Sequence, residues 1–224
     1  MRYLTRSLLL AIAPVFFVAA SAGAQSRSSD TSKTSELERR VQSQRRGGGL
    51  RVGQWHVNGQ QFPAGATTST IPNFEGYYRS GLDLHLVLEN SVGLWRQHQE
   101  NTSGGGLLGG GSATATDDYI IPQFTSLVFY PLTTPSDRVE PFIRGGIGFA
   151  LGVDDPQNGG GGISFTPGFG ATGGLGLEWR ATEALGLSIS GRYQWIRFFQ
   201  DFAGLQTYQG PAIEAGVTYR FQYR

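Results

Sequence analysis

From Leu50 to the C-terminus, hydrophobic and polar residues alternate with a period of two, the signature of a strand whose two faces meet different surroundings. The last segment states it most clearly. Ile213, Ala215, Val217, Tyr219, Phe221 and Tyr223 fall on one side, and Glu214, Gly216, Thr218, Arg220 and Gln222 on the other. Leu187, Ile189, Tyr193 and Trp195 oppose Ser188, Ser190, Arg192 and Gln194. Phe169, Ala171, Leu175, Leu177 and Trp179 oppose a glycine-rich face that ends in Glu178, and Ile143, Ile147, Phe149 and Leu151 oppose Arg144, Gly146, Gly148 and Ala150. Nearer the N-terminus, Leu82, Leu84 and Leu86 alternate with Gly81, Asp83 and His85. Segments 50–58, 90–98 and 119–130 have strand-like composition without a clear face. The pattern predicts eight strands.

The connections alternate in length. Val87–Glu89, Pro131–Val139 and Ala181–Leu185 are short. Gly59–Gly76, Gln99–Asp118, Asp154–Pro167 and Gln200–Gly210 are longer and rich in glycine, asparagine or aspartate. Short turns at one end and long loops at the other, with an even strand number, are how transmembrane barrels are built. Large aromatics support this: Trp179, Tyr219, Phe221 and Tyr223 lie at the short-turn end, Tyr193 and Trp195 toward the other, as two bilayer interfaces require. A soluble sandwich has less reason to place aromatics on one face at both strand ends. The predicted fold class is all-β, an eight-stranded antiparallel up-and-down transmembrane β-barrel.

The N-terminus fits export. Arg2 and Arg6 precede an apolar run from Leu8 to Ala20, and Ser21-Ala22-Gly23-Ala24 supplies small residues for cleavage, so residues 1–24 read as a signal peptide. The run is too short to span a bilayer comfortably as a retained helix. Residues 25–49 are a polar lead ending in three glycines, and 50–224 form the barrel domain. Thr34 to Arg46 could form a short helix, with Leu37 and Val41 one turn apart, but its apolar stripe is thin. Losing Arg2 and Arg6 leaves 16 basic against 17 acidic residues, a balance that offers nothing to nucleic acid. There is no cysteine, hence no lipobox, no disulfide framework and no thiol chemistry.

On these faces Arg79, Asp83, Arg144, Glu178, Arg192, Glu214 and Arg220 point inward. An eight-stranded barrel has room inside only for side chains, and an unpaired charge there is costly. The expectation is an ion-pair network that closes the lumen; the alternative is a narrow polar path lined by the same residues. Gly168, Gly170 and Gly173 match a nucleotide-binding spacing, but the chain continues as strand where that motif needs a helix. They make room for neighbouring arginines and aromatics instead. His56, His85 and His98 sit on separate strands without metal-ligand spacing, and neither metal nor cofactor is expected. Asp117-Asp118 and Asp154-Asp155 read as solvated loop charges, with divalent cations at a lipopolysaccharide surface as the alternative.

Pro141-Phe-Ile-Arg-Gly-Gly-Ile-Gly-Phe149, the run Gly168 to Arg180, and Ser188-Ile-Ser-Gly-Arg-Tyr-Gln-Trp195 resemble the fifth, sixth and seventh strands of small outer-membrane β-barrel proteins of the OmpA/OmpW-like type. Glu214, Gly216, Tyr219 and Phe221 resemble the C-terminal signal read by the barrel assembly machinery, although Gln222-Tyr223-Arg224 extends past the usual end. The likeness covers Leu50 to Arg224 and does not take in the peptidoglycan-binding domain of full-length OmpA-type proteins. The resemblance implies an exported outer-membrane protein in contact with lipid and lipopolysaccharide, with four outer loops displayed to an unidentified extracellular partner. A structural or surface-interaction role comes first and a small-solute channel of the OmpW type second. Lipid-modifying barrels place a serine, histidine and carboxylate on the outer wall; no His-x-Ser-Asn run occurs, and enzyme is the third reading.

Overall fold

The computed structural model describes residues 45–58, 70–83, 85–102, 113–132, 138–155 and 163–221. The expected signal peptide, the lead before Arg45, the stretches Gly104–Gly111 and Gly159–Gly162, and Tyr223 lie outside them. The described residues form eight strands: β1 (Gly47–His56), β2 (Thr70–Gly81), β3 (Leu86–Thr102), β4 (Ala113–Phe129), β5 (Val139–Asp155), β6 (Ser164–Arg180), β7 (Leu185–Phe202) and β8 (Leu205–Arg220). Each pairs antiparallel with the next, and β8 closes on β1. Closure leaves no strand without a partner on either side, the condition for a sheet to cross hydrocarbon.

The register sets the tilt. Stepping from Trp179 on β6 through Leu187, Val217, Leu50, Gly76, Val92, Gln123 and Phe149 returns to β6 at Phe169, ten residues from the start. That stagger over eight strands tilts them by roughly 40°, so each residue climbs about 2.5 Å along the axis. Trp179 to Phe169 therefore spans about 25 Å, the height of one apolar membrane band. The outward face is built for it: Ile147, Leu175 and Ile213 are 74%, 69% and 69% exposed. Such a continuous apolar wall has no place in water.

Several expected boundaries move; β3 and β4 take in both ends of Gln99–Asp118, and β5 and β6 both ends of Asp154–Pro167. The alternation expected from Leu82 to Leu86 is broken by a turn that ends where β3 begins at Leu86: Asp83 Oδ1 accepts the His85 N–H at 2.7 Å, and the N–H groups of Leu82 and Asp83 both donate to the Leu86 carbonyl. Val87–Glu89, expected as that turn, lies inside β3, because Glu89 pairs across the ladder with Arg79 and the hairpin must close earlier. Gly59–Gly76 is too long a loop, since β2 begins at Thr70 and carries Pro72, Asn73 and Gly76 in the wall. Gln200–Gly210 is no long loop either.

There β7 and β8 meet in a two-residue turn, Ala203 (φ 49°) and Gly204 (φ 79°), with Phe202 opposite Leu205. Positive φ at both positions is the hairpin turn whose twist matches the strands. Phe202, Leu205 and Tyr208 are buried, so the hairpin is held from within. The β7–β8 connection is thus a tight hairpin and not the fourth long loop expected. At the opposite end β1 takes in the three glycines expected to close the lead. A Cβ at Gly47 or Gly49 would stand 2.3 or 2.2 Å from the Tyr219 or Val217 carbonyl, and only glycine lets the strands approach so closely.

Candidate functional site

The lumen is the one region where charge has been carried into the interior, and it has two storeys. In the lower one, nearer the short turns, six side chains from six strands form a closed ring of alternating sign. Arg51 Nη2 on β1 lies 2.5 Å from Glu89 Oε1 on β3 and 4.0 Å from Glu75 Oε1 on β2. Arg192 on β7 binds Glu75 at 2.6 Å and also Glu214 on β8. Arg144 on β5 completes the ring, 3.3 Å from Glu214 and 3.1 Å from Glu89. Each arginine meets two carboxylates and each carboxylate two or more arginines, so the ring is formally neutral. None of the six is more than 4% exposed. Ions so deeply buried persist only when paired and hydrogen-bonded on several sides; Asn73 Nδ2 adds a bond to Glu214 at 3.0 Å.

A chain of pairs descends from the ring toward the mouth. Arg79 reaches Glu89 at 2.7 Å and Glu178 at 2.6 Å, and Arg220 holds the other oxygen of Glu178 at 2.5 Å. Tyr130 Oη donates to Glu178 at 3.0 Å. At the rim Arg180 grips Glu140 with two bonds of 3.1 and 2.6 Å. Arg45, just ahead of β1, reaches across to Glu140 on β5 at 3.3 Å with its guanidinium 3.9 Å above the Tyr130 ring. Strands β1 and β5 stand four apart in the closed order of eight, so Arg45 straps the mouth across its full width. The pocket left among Arg45, Arg79, Tyr130, Glu178 and Arg220 holds about 10 Å³, room for roughly one water molecule.

Glycines make this packing feasible. A Cβ on Gly174 would sit 2.6 Å from Arg192 Cβ, and one on Gly216 2.6 Å from Arg51 Cγ. In the upper storey the same device serves rings: Gly152 faces Phe202, Gly168 faces Phe198, and Gly170 lies beside Ile196 and Phe124.

That upper storey is mainly apolar, with Gln97 and Asp118 buried at its outer end. Asp118 therefore lies inside β4 and is not the solvated loop charge expected from sequence. Trp55, Trp95, Ile120, Phe124, Ile196, Phe198, Phe202 and Tyr208 are all at most 1% exposed and form one cluster. Trp55 and Trp95 meet edge to face at 4.9 Å, and Phe198 contacts Phe202 at 4.8 Å and Tyr208 at 5.7 Å. Two of its polar handles find partners, Trp55 Nε1 donating to the Gly210 carbonyl at 3.0 Å and Tyr208 Oη to that of Phe202 at 2.8 Å, while the buried Trp95 indole N–H finds none among the described residues. Arg192 joins the storeys, its guanidinium 5.9 Å from the Trp95 ring.

Of the inward charges expected from sequence, Arg79, Arg144, Glu178, Arg192, Glu214 and Arg220 lie in the lower network. Asp83 does not; it is exposed in the β2–β3 turn, because the hairpin closes before its parity can carry it inside. Arg51, Glu75, Glu89, Glu140, Arg180 and Arg45 were missed. Reading the parity of Arg79 backward along β2 would have found Glu75; the glycine and asparagine around it argued for a loop. Of the C-terminal signal residues, Glu214 and Gly216 face the lumen, while Tyr219 and Phe221 face outward with their rings 6.0 Å apart. His56 Nδ1 lies 3.5 Å from Thr70 Oγ1, and His85 Nδ1 lies 2.9 Å from the Tyr130 carbonyl. No group of metal-ligating side chains occurs among the described residues.

A closed, tilted eight-stranded antiparallel wall, apolar outside and filled inside, is the fold of the small outer-membrane β-barrels. The solved structures it matches include OprG from Pseudomonas aeruginosa (TM-score 0.52, 15% identity, 80% of this chain and 94% of that one). They also include Neisserial surface protein A (TM-score 0.50, 16% identity, 80% and 97%). At such identity the likeness speaks for the fold alone. No family model and no curated protein sequence matches the chain.

Proposed function

We propose that this protein is an integral outer-membrane barrel with a closed lumen, a rigid non-enzymatic support whose function lies on its outer surface. The observation that carries the reading is the pairing of the two storeys. An ion crossing the lumen would have to break a ring in which every charge has two partners, then pass a layer packed with buried aromatic rings. Delivery through the signal peptide, and recognition by the assembly machinery through the Glu214–Phe221 segment, belong to the same reading. Lipid and lipopolysaccharide would be its constant partners.

The test is single-channel conductance of the refolded mature protein in a planar bilayer, with folding verified by a heat-dependent gel shift. A silent wild type, with steps appearing only in Arg144→Ala or Arg192→Ala, is the expected result. Discrete steps in the wild type would overturn the closed lumen and favour a small-solute channel.

A further inference from the structure

The apolar outer wall does not end at one height. On β1 and β3 the outward residues turn polar or basic above Val52 and Leu94, with Gln54, His56 and Arg96 next in line, and on β2 only Pro72 separates Phe74 from Thr70. On β6 they do not, and on β7 Arg197 alone stands between the outward rings of Trp195 and Phe199. Above Phe169 stand Pro167 and Phe165, and above Trp195 stands Phe199; Phe165 and Phe199 are 57% and 62% exposed. Phe165 lies four residues past Phe169 on a tilted strand, hence roughly 10 Å above the top of the apolar band. The rings form one patch: Phe169 meets Trp195 edge to face at 5.3 Å and Phe199 at 5.8 Å.

A single cation sits within this patch. Arg197 lies between Trp195 and Phe199 on the outward face of β7 and directly opposite Phe169 on β6. It is exposed, and no ion pair among the described residues engages it. An apolar surface continuing past the acyl region, with a guanidinium at the level where acyl chains give way to headgroups, fits an amphiphile with an anionic head. Arginine matches phosphate geometry, and aromatic rings settle at such an interface.

We propose that the β6–β7 outer wall is a docking site for the phosphorylated glycolipid of the outer leaflet, lipopolysaccharide. Its lipid A phosphate lies on Arg197, and its acyl chains and sugar edge lie against Phe165, Phe169, Trp195 and Phe199. The site rests on the outer-membrane reading and adds to it a defined lipid contact on one wall.

The mature protein in phospholipid nanodiscs, titrated with lipopolysaccharide, tests it through the temperature of the heat-dependent gel shift and through native mass spectrometry. Lipopolysaccharide should raise the wild-type transition by several degrees. Binding should fall about tenfold in Arg197→Ala, the worth of one charge-assisted contact, and also in Phe165→Ser/Phe199→Ser. Arg197→Lys should recover part of it, Arg96→Ala on the opposite wall should leave it unchanged, and dephosphorylated lipopolysaccharide should bind the wild type as weakly as intact lipid binds Arg197→Ala. Equal stabilisation of wild type and Arg197→Ala would overturn the site, as would indifference to dephosphorylation. A concentration-dependent doubling of mass abolished by Phe199→Ser would assign the wall to a second copy and likewise overturn it. Loss of the gel shift in the wild type would instead remove the barrel reading itself.

Discussion

The two storeys of the lumen solve one problem, filling a narrow tube without leaving water inside, with opposite chemistries. The lower storey draws Arg51, Glu75, Glu89, Arg144, Arg192 and Glu214 from six strands into a ring whose bonds are directional and mutually dependent. The upper storey packs Trp55, Trp95, Phe124, Phe198, Phe202 and Tyr208 by shape, with ring separations of 4.8–6.4 Å. Removing one ion strands its partners in a low-dielectric interior, whereas removing one ring leaves a cavity that its neighbours partly close. The two halves should therefore differ less in how much they resist unfolding than in what leaks when they are damaged.

The sharpest way to break that contrast is Glu89→Ala, which deprives Arg51, Arg79 and Arg144 of a shared partner. Urea unfolding followed by tryptophan fluorescence should show a loss of about 5 kcal/mol, the upper end for breaking a buried ion pair, together with new conductance. Trp95→Ala in the upper storey should cost somewhat less, about 4 kcal/mol, and remain electrically silent because an apolar cavity stays dry. Conductance in Trp95→Ala, or its absence in Glu89→Ala, would erase the distinction between the halves. The smallest change lies at the cap of the aromatic storey. Ala203→Asn relieves a left-handed alanine in the β7–β8 turn and should stabilise the barrel by roughly 0.5–1 kcal/mol in the same assay. A loss of stability there would mean that the Ala203 methyl, which packs on the buried cluster, matters more than the backbone.

How far these features were legible differs between the two ends of the chain. From Glu140 onward, parity alone assigned Arg144, Glu178, Arg192, Glu214 and Arg220 to the interior, because consecutive side chains on a strand must point to opposite faces. In the first half the same rule needed a correct starting point and lacked one. Asn73, Gly76 and Pro72 mimic loop chemistry, and Leu82 and Leu86 mimic a strand while closing a turn. Glycine in a water-exposed sheet marks a break; in a barrel this narrow it marks a place where an arginine or a ring lies against the wall. The tight β7–β8 hairpin was likewise hidden, since Gln200 to Gly210 carries the polar and glycine residues of a loop while Phe202, Leu205 and Tyr208 turn inward to hold it.

What the amino-acid order determined by itself is local: the period of two, the lipid-facing and lumen-facing sets from Glu140 onward, the aromatic girdles and the number of strands. These follow from the geometry of an extended chain within a few residues. What only the tertiary structure decided is which charges meet. Arg192 finds Glu75 across 117 residues of sequence and Arg45 finds Glu140 across 95, and neither pairing exists until a stagger of ten residues closes β8 on β1. Parity sends a side chain inward, but the tilt and register of the closed wall set the height at which it arrives, and that height separates an ion-pair ring from an aromatic plug.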